Sequence, residues 1–295
     1  MGRDGRSLSH GLAVKMKIVD THQHLWDKEL FHYAWLEPLP KLDRSFRLGD
    51  YHDATSGLEI DKTVFVECDV DQSQMLDEAL HIVGLADDSG NGIAGIVASG
   101  RPERDGFEAH LDALAAHPKV KGVRRILHTG ADDVGQGKMF IENVARLGEY
   151  GLSFDICVIA RQLPVAINLV SKCPDVAFIL DHCGVPDVKG QALHPWRDYI
   201  RELSKFPNVA CKVSGLVAYG DPSNWKAEDL RSFVDHVIES FGWNRVMFGS
   251  DWPVCNLTAS YKKWVETLLT LTHSAGEANQ KKLFSENAIR IYRLQ

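Results

Sequence analysis

A chain of 295 residues, 44% hydrophobic and 25% charged, has the make-up of a folded globular protein, which excludes disordered and fibrous classes. Its formal charge of −7 includes no long basic run, so no nucleic acid or membrane partner is expected and a small molecule is the default ligand. No apolar stretch reaches the roughly 18 residues of a membrane span. The six cysteines, Cys68, Cys157, Cys173, Cys183, Cys211 and Cys255, form no CxxC pair, as fits reduced thiols in a cytoplasm.

Residues 1–16 are polar and Gly-rich, lack the apolar segment of a secretory signal, and read as a flexible arm with Met16 as an alternative start. Beyond them, short β-branched runs alternate with amphipathic stretches. Strands are predicted at 17–24 and 62–69, then a helix at 74–85; a strand at 92–100 and a helix at 107–116 follow. The rhythm continues with strand 120–128 and helix 142–150, strand 152–158 and helix 163–172, strand 176–184 and helix 196–206. Strand 208–215, helix 227–241 and strand 245–252 complete it, with 285–295 as a closing segment. The helical stretches repeat apolar residues at i, i+3 and i+4, whereas Ala177-Phe178-Ile179-Leu180 is apolar throughout, as in a parallel strand covered on both faces. Eight such units predict an α/β fold, a single-domain (β/α)8 TIM barrel over residues 17–295. The alternative, an open doubly wound sheet, is disfavoured because no GxGxxG follows the first strand.

In such a barrel the reactive groups stand at the C-terminal ends of the strands. There the sequence offers Asp20-Thr21-His22-Gln23-His24, Glu67-Cys68-Asp69, Arg124-Arg125 with His128, Asp155, Asp181-His182-Cys183-Gly184, Lys212 with Ser214, and Ser250-Asp251-Trp252-Pro253. Alternation along a strand points His22 and His24 the same way, and toward the mouth they converge with His182 and Asp251. Three imidazoles and a carboxylate can hold a divalent metal through neutral ring nitrogens, or polarise a carbonyl and activate water without one. The spacing leaves both open. Singly, His182 reads as well as a capping residue and Asp251 as a helix N-cap; four such residues at strand ends favour a site. Ser250 lacks a GxSxG elbow, so no covalent serine intermediate is expected.

From about Met16 to the C-terminus, four motifs resemble the amidohydrolase superfamily, and more closely its lactonase branch: Ile18-Val19-Asp20-Thr21-His22-Gln23-His24-Leu25-Trp26, Asp181-His182-Cys183-Gly184, Lys212-Val213-Ser214-Gly215 and Phe248-Gly249-Ser250-Asp251-Trp252-Pro253. That resemblance implies a carboxylic-ester hydrolase that opens a lactone, such as a sugar lactone of the L-fucono-1,5 type, with water. It makes Asp251 the base that takes the water proton, with His22, His24, His182 and Arg124 polarising the carbonyl. Two-metal members of the superfamily use a fourth-strand Lys or Glu bridge and a fifth-strand His, whereas here strand four carries Arg124-Arg125 and strand five Asp155. The expectation is therefore no required cofactor, with one zinc on His22 and His24 as an optional guest.

An aromatic-rich mouth built from Trp26, Trp35, Trp196 and Trp225, with Glu67, Asp155 and Lys212, suits a polyhydroxylated neutral lactone. Each indole also has the plainer reading of packing a loop on the barrel. A carboxylated lactone would instead call on Arg124, Arg125 and Arg161, and only one of the first two can face the interior. A metal-dependent amidohydrolase or decarboxylase is the further alternative. A monomer or homodimer is expected.

Overall fold

The β-branched runs fold into eight parallel strands: β1 (Ile18–Gln23), β2 (Ile60–Val66), β3 (Ile93–Ser99), β4 (Val120–Ile126), β5 (Ser153–Cys157), β6 (Ala177–Leu180), β7 (Val209–Val213) and β8 (Val246–Phe248). They are hydrogen-bonded in sequence order from β1 to β8. The ends of the first and last strands meet, with Asp251 N–H donating to His22 O at 2.9 Å and His24 N–H to Trp252 O at 2.8 Å. The result is the expected (β/α)8 barrel, nearly closed, in a computed structural model that describes residues 16–221 and 224–295. Residues 1–15 of the predicted arm lie outside the described residues.

The helices between strands are α1 (Leu48–Thr55), α2 (Met75–Asp87), α3 (Phe107–Ala115), α4 (Lys138–Arg146), α5 (Leu163–Lys172), α6 (Trp196–Leu203) and α7 (Ala227–Phe241), followed by α8 (Tyr261–Leu271). A C-terminal run follows: α9 (Glu277–Lys281), a π-turn (Lys282–Glu286) and α10 (Asn287–Ile291). Helix α4 starts and ends earlier than its sequence pattern predicts. Gly137 caps it in extended geometry, and the chain turns at Gly148 and Gly151, the latter at φ +64°. Strands β6 and β8 also end short of expectation, because the chain leaves each of them in a tight turn that carries a site residue.

Apolar side chains divide into two shells. Val19, Val64, Val66, Val97, Ile179, Ala210 and Met247 fill the barrel interior, where Ala288, Tyr292 and Leu294 from the C-terminal run join them. A larger shell, including Ile18, Phe65, Ile96, Val123, Phe154 and Ile156, packs the strands against the helices. All six cysteines are buried and unpaired. Among the described residues no helix is long and apolar enough to cross a membrane.

Candidate active site

Asp251 leaves β8 in the left-handed region, at φ +57°. Its backbone bond to His22 O and a staple from Asp20 hold it there. Asp20 Oδ1 accepts Ser250 N–H at 2.8 Å, and its Oδ2 accepts Ser250 Oγ–H at 2.6 Å and the Tyr51 hydroxyl at 2.9 Å. So fixed, Asp251 Oδ1 lies 3.4 Å from His24 Nε2 and 3.9 Å from Nε2 of both His22 and His182. The four residues picked out at strand ends thus meet at one oxygen.

Hydrogen bonds set the imidazole tautomers. His24 Nδ1 is 2.8 Å from Val66 O, so that nitrogen donates and Nε2 presents a lone pair toward Asp251. His182, at φ +52°, has its backbone N–H on Ser214 Oγ at 3.3 Å and its Nδ1 3.0 Å from the same hydroxyl. With Ser214 donating to Nδ1, the ring proton of His182 sits on Nε2 and faces the cavity. Close approach here requires Gly215, whose φ is +68° and where a Cβ would stand 2.6 Å from His182 Nδ1.

Beneath the histidines runs a buried ionic network. Arg124 donates from Nε to Glu67 Oε1 at 2.7 Å, from Nη2 to Glu67 O at 2.6 Å and from Nη1 to Asp181 Oδ2 at 3.4 Å; Nη1 also lies 3.2 Å from His22 Nε2. Lys212 Nζ is 2.6 Å from Asp155 Oδ2, 3.0 Å from Asp181 Oδ1 and 3.3 Å from His22 Nδ1. Tyr292 reaches up the barrel to donate to Asp155 Oδ2 at 2.8 Å. Burial holds His22 well below the ordinary imidazole range, and Lys212 deepens the effect. Burial lowers His182 as well. Burial also opposes ionisation of Asp181, yet Lys212, His22 and Arg124 hold it well below the usual carboxylate range. Asp155 is the weaker acid of the two that share Lys212, pushed up by burial and by Asp181 although Lys212 pulls the other way.

A cavity of about 160 Å³ opens above Asp251, lined by His24, Arg124 and His182 and walled by Trp35, Asp69, Ile126, His128, Thr129, Cys157, Tyr219 and Val254. Of the tryptophans expected at the mouth, Trp35 lines it, while its indole N–H is anchored on Cys68 O at 2.7 Å. Trp26, Trp196 and Trp225 do not line it. Each donates its N–H to a loop carbonyl instead, on Arg44 at 2.6 Å, Cys183 at 2.7 Å and Thr258 at 3.1 Å. Glu67, Asp155 and Lys212, expected to meet substrate, have no exposed surface and lie in the network below. Arg125 turns outward to Glu103 at 2.9 Å and Arg161 pairs with Asp132.

Three wall residues carry chemistry that sequence reasoning did not assign. Asp69, at φ +50°, meets Arg101 at 3.2 Å and is pushed upward by burial and by Glu67. His128 Nδ1 lies 3.2 Å from Cys157 Sγ, and burial, then Arg124 and His182, take it down to about 4. Tyr219 comes from the loop after β7 and stands at the cavity rim, still partly open to solvent. Asp69 and His128 sit at strand ends and were visible as rim residues, whereas nothing periodic marks Tyr219.

His22, His24 and Asp251 bring one ligand atom each within 4.8 Å of one another, and so do His22, Asp181 and His182. The His24 lone pair facing a carboxylate oxygen at 3.4 Å calls for a cation or proton between them, so the first set suits one divalent ion. Arg124 is a permanent cation on His22 Nε2 and competes for that place. A second ion finds no fifth-strand histidine, since Asp155 there is committed to Lys212 and Tyr292.

The sequence profile of the family described as Amidohydrolase matches residues 19–294. L-Fucono-1,5-lactonase of Burkholderia multivorans is 30% identical over 295 residues, which covers 94% of this chain and 96% of that protein. The protein of the same name from Burkholderia ambifaria is 26% identical over 285 residues, 94% of this chain and 95% of its own. A solved amidohydrolase from Burkholderia multivorans with bound zinc superposes with a TM-score of 0.85 at 29% identity, over 94% of this chain and 99% of that one. The profile match spans the whole eight-stranded barrel: this chain belongs to the amidohydrolase family.

Proposed function

We propose that this hydrolase opens a neutral, polyhydroxylated lactone of the L-fucono-1,5-lactone type to its aldonic acid by direct attack of water. The observation that carries the reading is the convergence of three imidazole nitrogens on Asp251 Oδ1 at the floor of the cavity. Asp251 accepts a proton from water as the oxygen attacks the acyl carbon. His182 Nε2–H, oriented by Ser214, donates to the carbonyl oxygen as it gains charge, and the Arg124 guanidinium, fixed in the cavity wall by Glu67, adds its positive charge beside it. The intermediate then collapses, the acyl–oxygen bond of the ring breaks, and protonated Asp251 returns its proton to the departing ring oxygen. A divalent ion held by His22, His24 and Asp251 would add Lewis acidity at the carbonyl.

A neutral substrate is supported by the fate of the arginines. Arg124 is committed to Glu67 and Asp181, and Arg125 and Arg161 point elsewhere. The wall presents Asp69, His128, Thr129 and Tyr219, which suit hydroxyls rather than a second carboxylate. The six buried, unpaired cysteines fit work in a reducing cytoplasm.

The test follows acid release with a pH indicator on a panel of aldono-1,4- and 1,5-lactones, with and without chelator and corrected for spontaneous hydrolysis. Chelator-insensitive turnover of a six-carbon lactone is expected. Asp251→Asn should lose at least about 10²–10⁴-fold in kcat with its fold intact. Silence across the panel, with activity on a carboxylated lactone alone, overturns the substrate, and near wild-type turnover by Asp251→Asn overturns the mechanism.

A further inference from the structure

Asp69 lines the catalytic cavity yet takes no part in the chemistry above. It follows β2 in the left-handed region, at φ +50°, where a residue other than glycine is uncommon. Its backbone N–H donates to Glu67 Oε2 at 2.7 Å, and Glu67 Oε1 holds Arg124, so the buried network that fixes the arginine also fixes this turn. The side chain placed in this way keeps 28% of its surface open, so a ligand in the cavity can reach it. A strained residue held in place at a cavity wall points to a function.

The two carboxyl oxygens are employed differently. Oδ1 accepts from Arg101 Nη2 at 3.2 Å, and Arg101 is tied back through Nη1 to Ser99 Oγ at 3.1 Å and Gly100 O at 3.2 Å. Oδ2 receives no hydrogen bond from the described residues. On the same wall, Trp35 donates its indole N–H to Cys68 O, the carbonyl just before Asp69, which ties the two side chains to one turn. An apolar indole surface for the C–H side of a ring, beside an open carboxyl oxygen for a hydroxyl, is a pair that reads a polyol.

We propose that Asp69 selects the substrate: its open Oδ2 takes a hydroxyl of the lactone bound beside Trp35, while its Oδ1 keeps Arg101 from pairing with a ligand carboxylate. The inference rests on the lactonase reading and names the residue that makes a neutral lactone the preferred one. Without the Asp69 side chain, the Arg101 guanidinium loses its partner at the cavity wall and is left to receive an anion.

Glycine and asparagine both accept a left-handed backbone, so Asp69→Gly and Asp69→Asn test the side chain rather than the turn. With the full chain, Asp69→Gly should raise KM for a neutral hexonolactone at least about tenfold, the value of one charge-assisted hydrogen bond, while kcat falls far less. Among lactones that each lack one hydroxyl, one should cost the parent about tenfold in KM and cost Asp69→Gly nothing, which a merely structural role would not produce. The preference for the neutral lactone over the aldarolactone, which ends in a carboxylate, should narrow in both variants. A 1,5-anhydrohexitol, the same ring without the carbonyl, is titrated in parallel by saturation-transfer NMR. Silence toward every lactone, with anhydrohexitol binding that still depends on Asp69, would overturn the reaction and keep the hydroxyl-reading role. Hydrolysis with a KM that ignores both variants, or an equal penalty on every deoxy lactone, would overturn the role and keep the reaction. Neither hydrolysis nor binding would overturn both.

Discussion

Replacing Lys212 with methionine separates a substrate contact from a buried counter-ion. Lys212 has no exposed surface, and its ammonium lies 2.6 Å from Asp155, 3.0 Å from Asp181 and 3.3 Å from His22. Methionine keeps the stem and deletes the charge, which leaves two carboxyl groups facing each other in a dry interior. Stranding the partners of a buried ion pair costs about 3–5 kcal/mol. Tyr292 still donates to Asp155 and Arg124 still reaches Asp181, so the lower half of that range is expected. Against a domain stability of roughly 5–15 kcal/mol, that is a large loss. The pH dependence has a definite sign. Without Lys212 one carboxyl takes up a proton in the folded state, so its folded pKa rises above the unfolded value of about 4. A raised carboxyl contributes stability below that value and loses it as pH climbs, so the deficit against the parent widens between about pH 5 and about pH 8. Urea unfolding followed by tryptophan fluorescence at both pH values, with kcat and KM measured alongside, reads every arm. A stability change under about 1 kcal/mol together with a raised KM would mean that Lys212 meets substrate, and the buried-network account would fail.

Other consequences are as direct. His128 sits at about 4 in the fold, held down first by burial and then by Arg124 and His182, against about 6.5 in the unfolded chain. The unfolded chain gains a proton that the fold refuses, so stability is complete above about pH 6.5 and declines by about 3 kcal/mol as pH falls to about 4. Thermal melts across that window should show the decline, to which the lowered His22 and His182 also contribute, and His128→Leu should make it shallower. Gly215→Ala would drive a Cβ to 2.6 Å from His182 Nδ1 at a backbone φ of +68°, so turnover should fall by about a hundredfold while the melting temperature moves far less. Unchanged kcat would show that His182 does not act at the carbonyl. Trp35→Ala should raise KM and spare stability, whereas Trp196→Ala, 1% exposed against Phe233, should cost about 3–5 kcal/mol in denaturant and leave KM alone. The reverse pattern would return Trp196 to the substrate.

The barrel was legible because its strands are apolar on both faces and its helices on one, so the two periods alternate openly along the chain. Polar residues at the ends of such strands stand out, and His22, His24, His182, Asp251 and Arg124 were all found that way. Depth was not legible. A barrel interior is stacked in layers about one side chain apart, and a polar residue near a strand end meets substrate only if nothing lies above it. His22 lies between Lys212 and Asp251, and Arg124 lies over Glu67, so sequence spacing makes lysine and glutamate look like contacts while the fold makes them supports. The tryptophans misled for a related reason. A loop indole is placed by whichever carbonyl takes its N–H, and for Trp26 that carbonyl belongs to Arg44, 18 residues away, which no local pattern encodes. Depth also accounts for Arg124 standing on the fourth strand. Glu67 and Asp181 are both buried beside the site, and a guanidinium with five donors in a fixed fork answers both and still directs Nη1 toward His22.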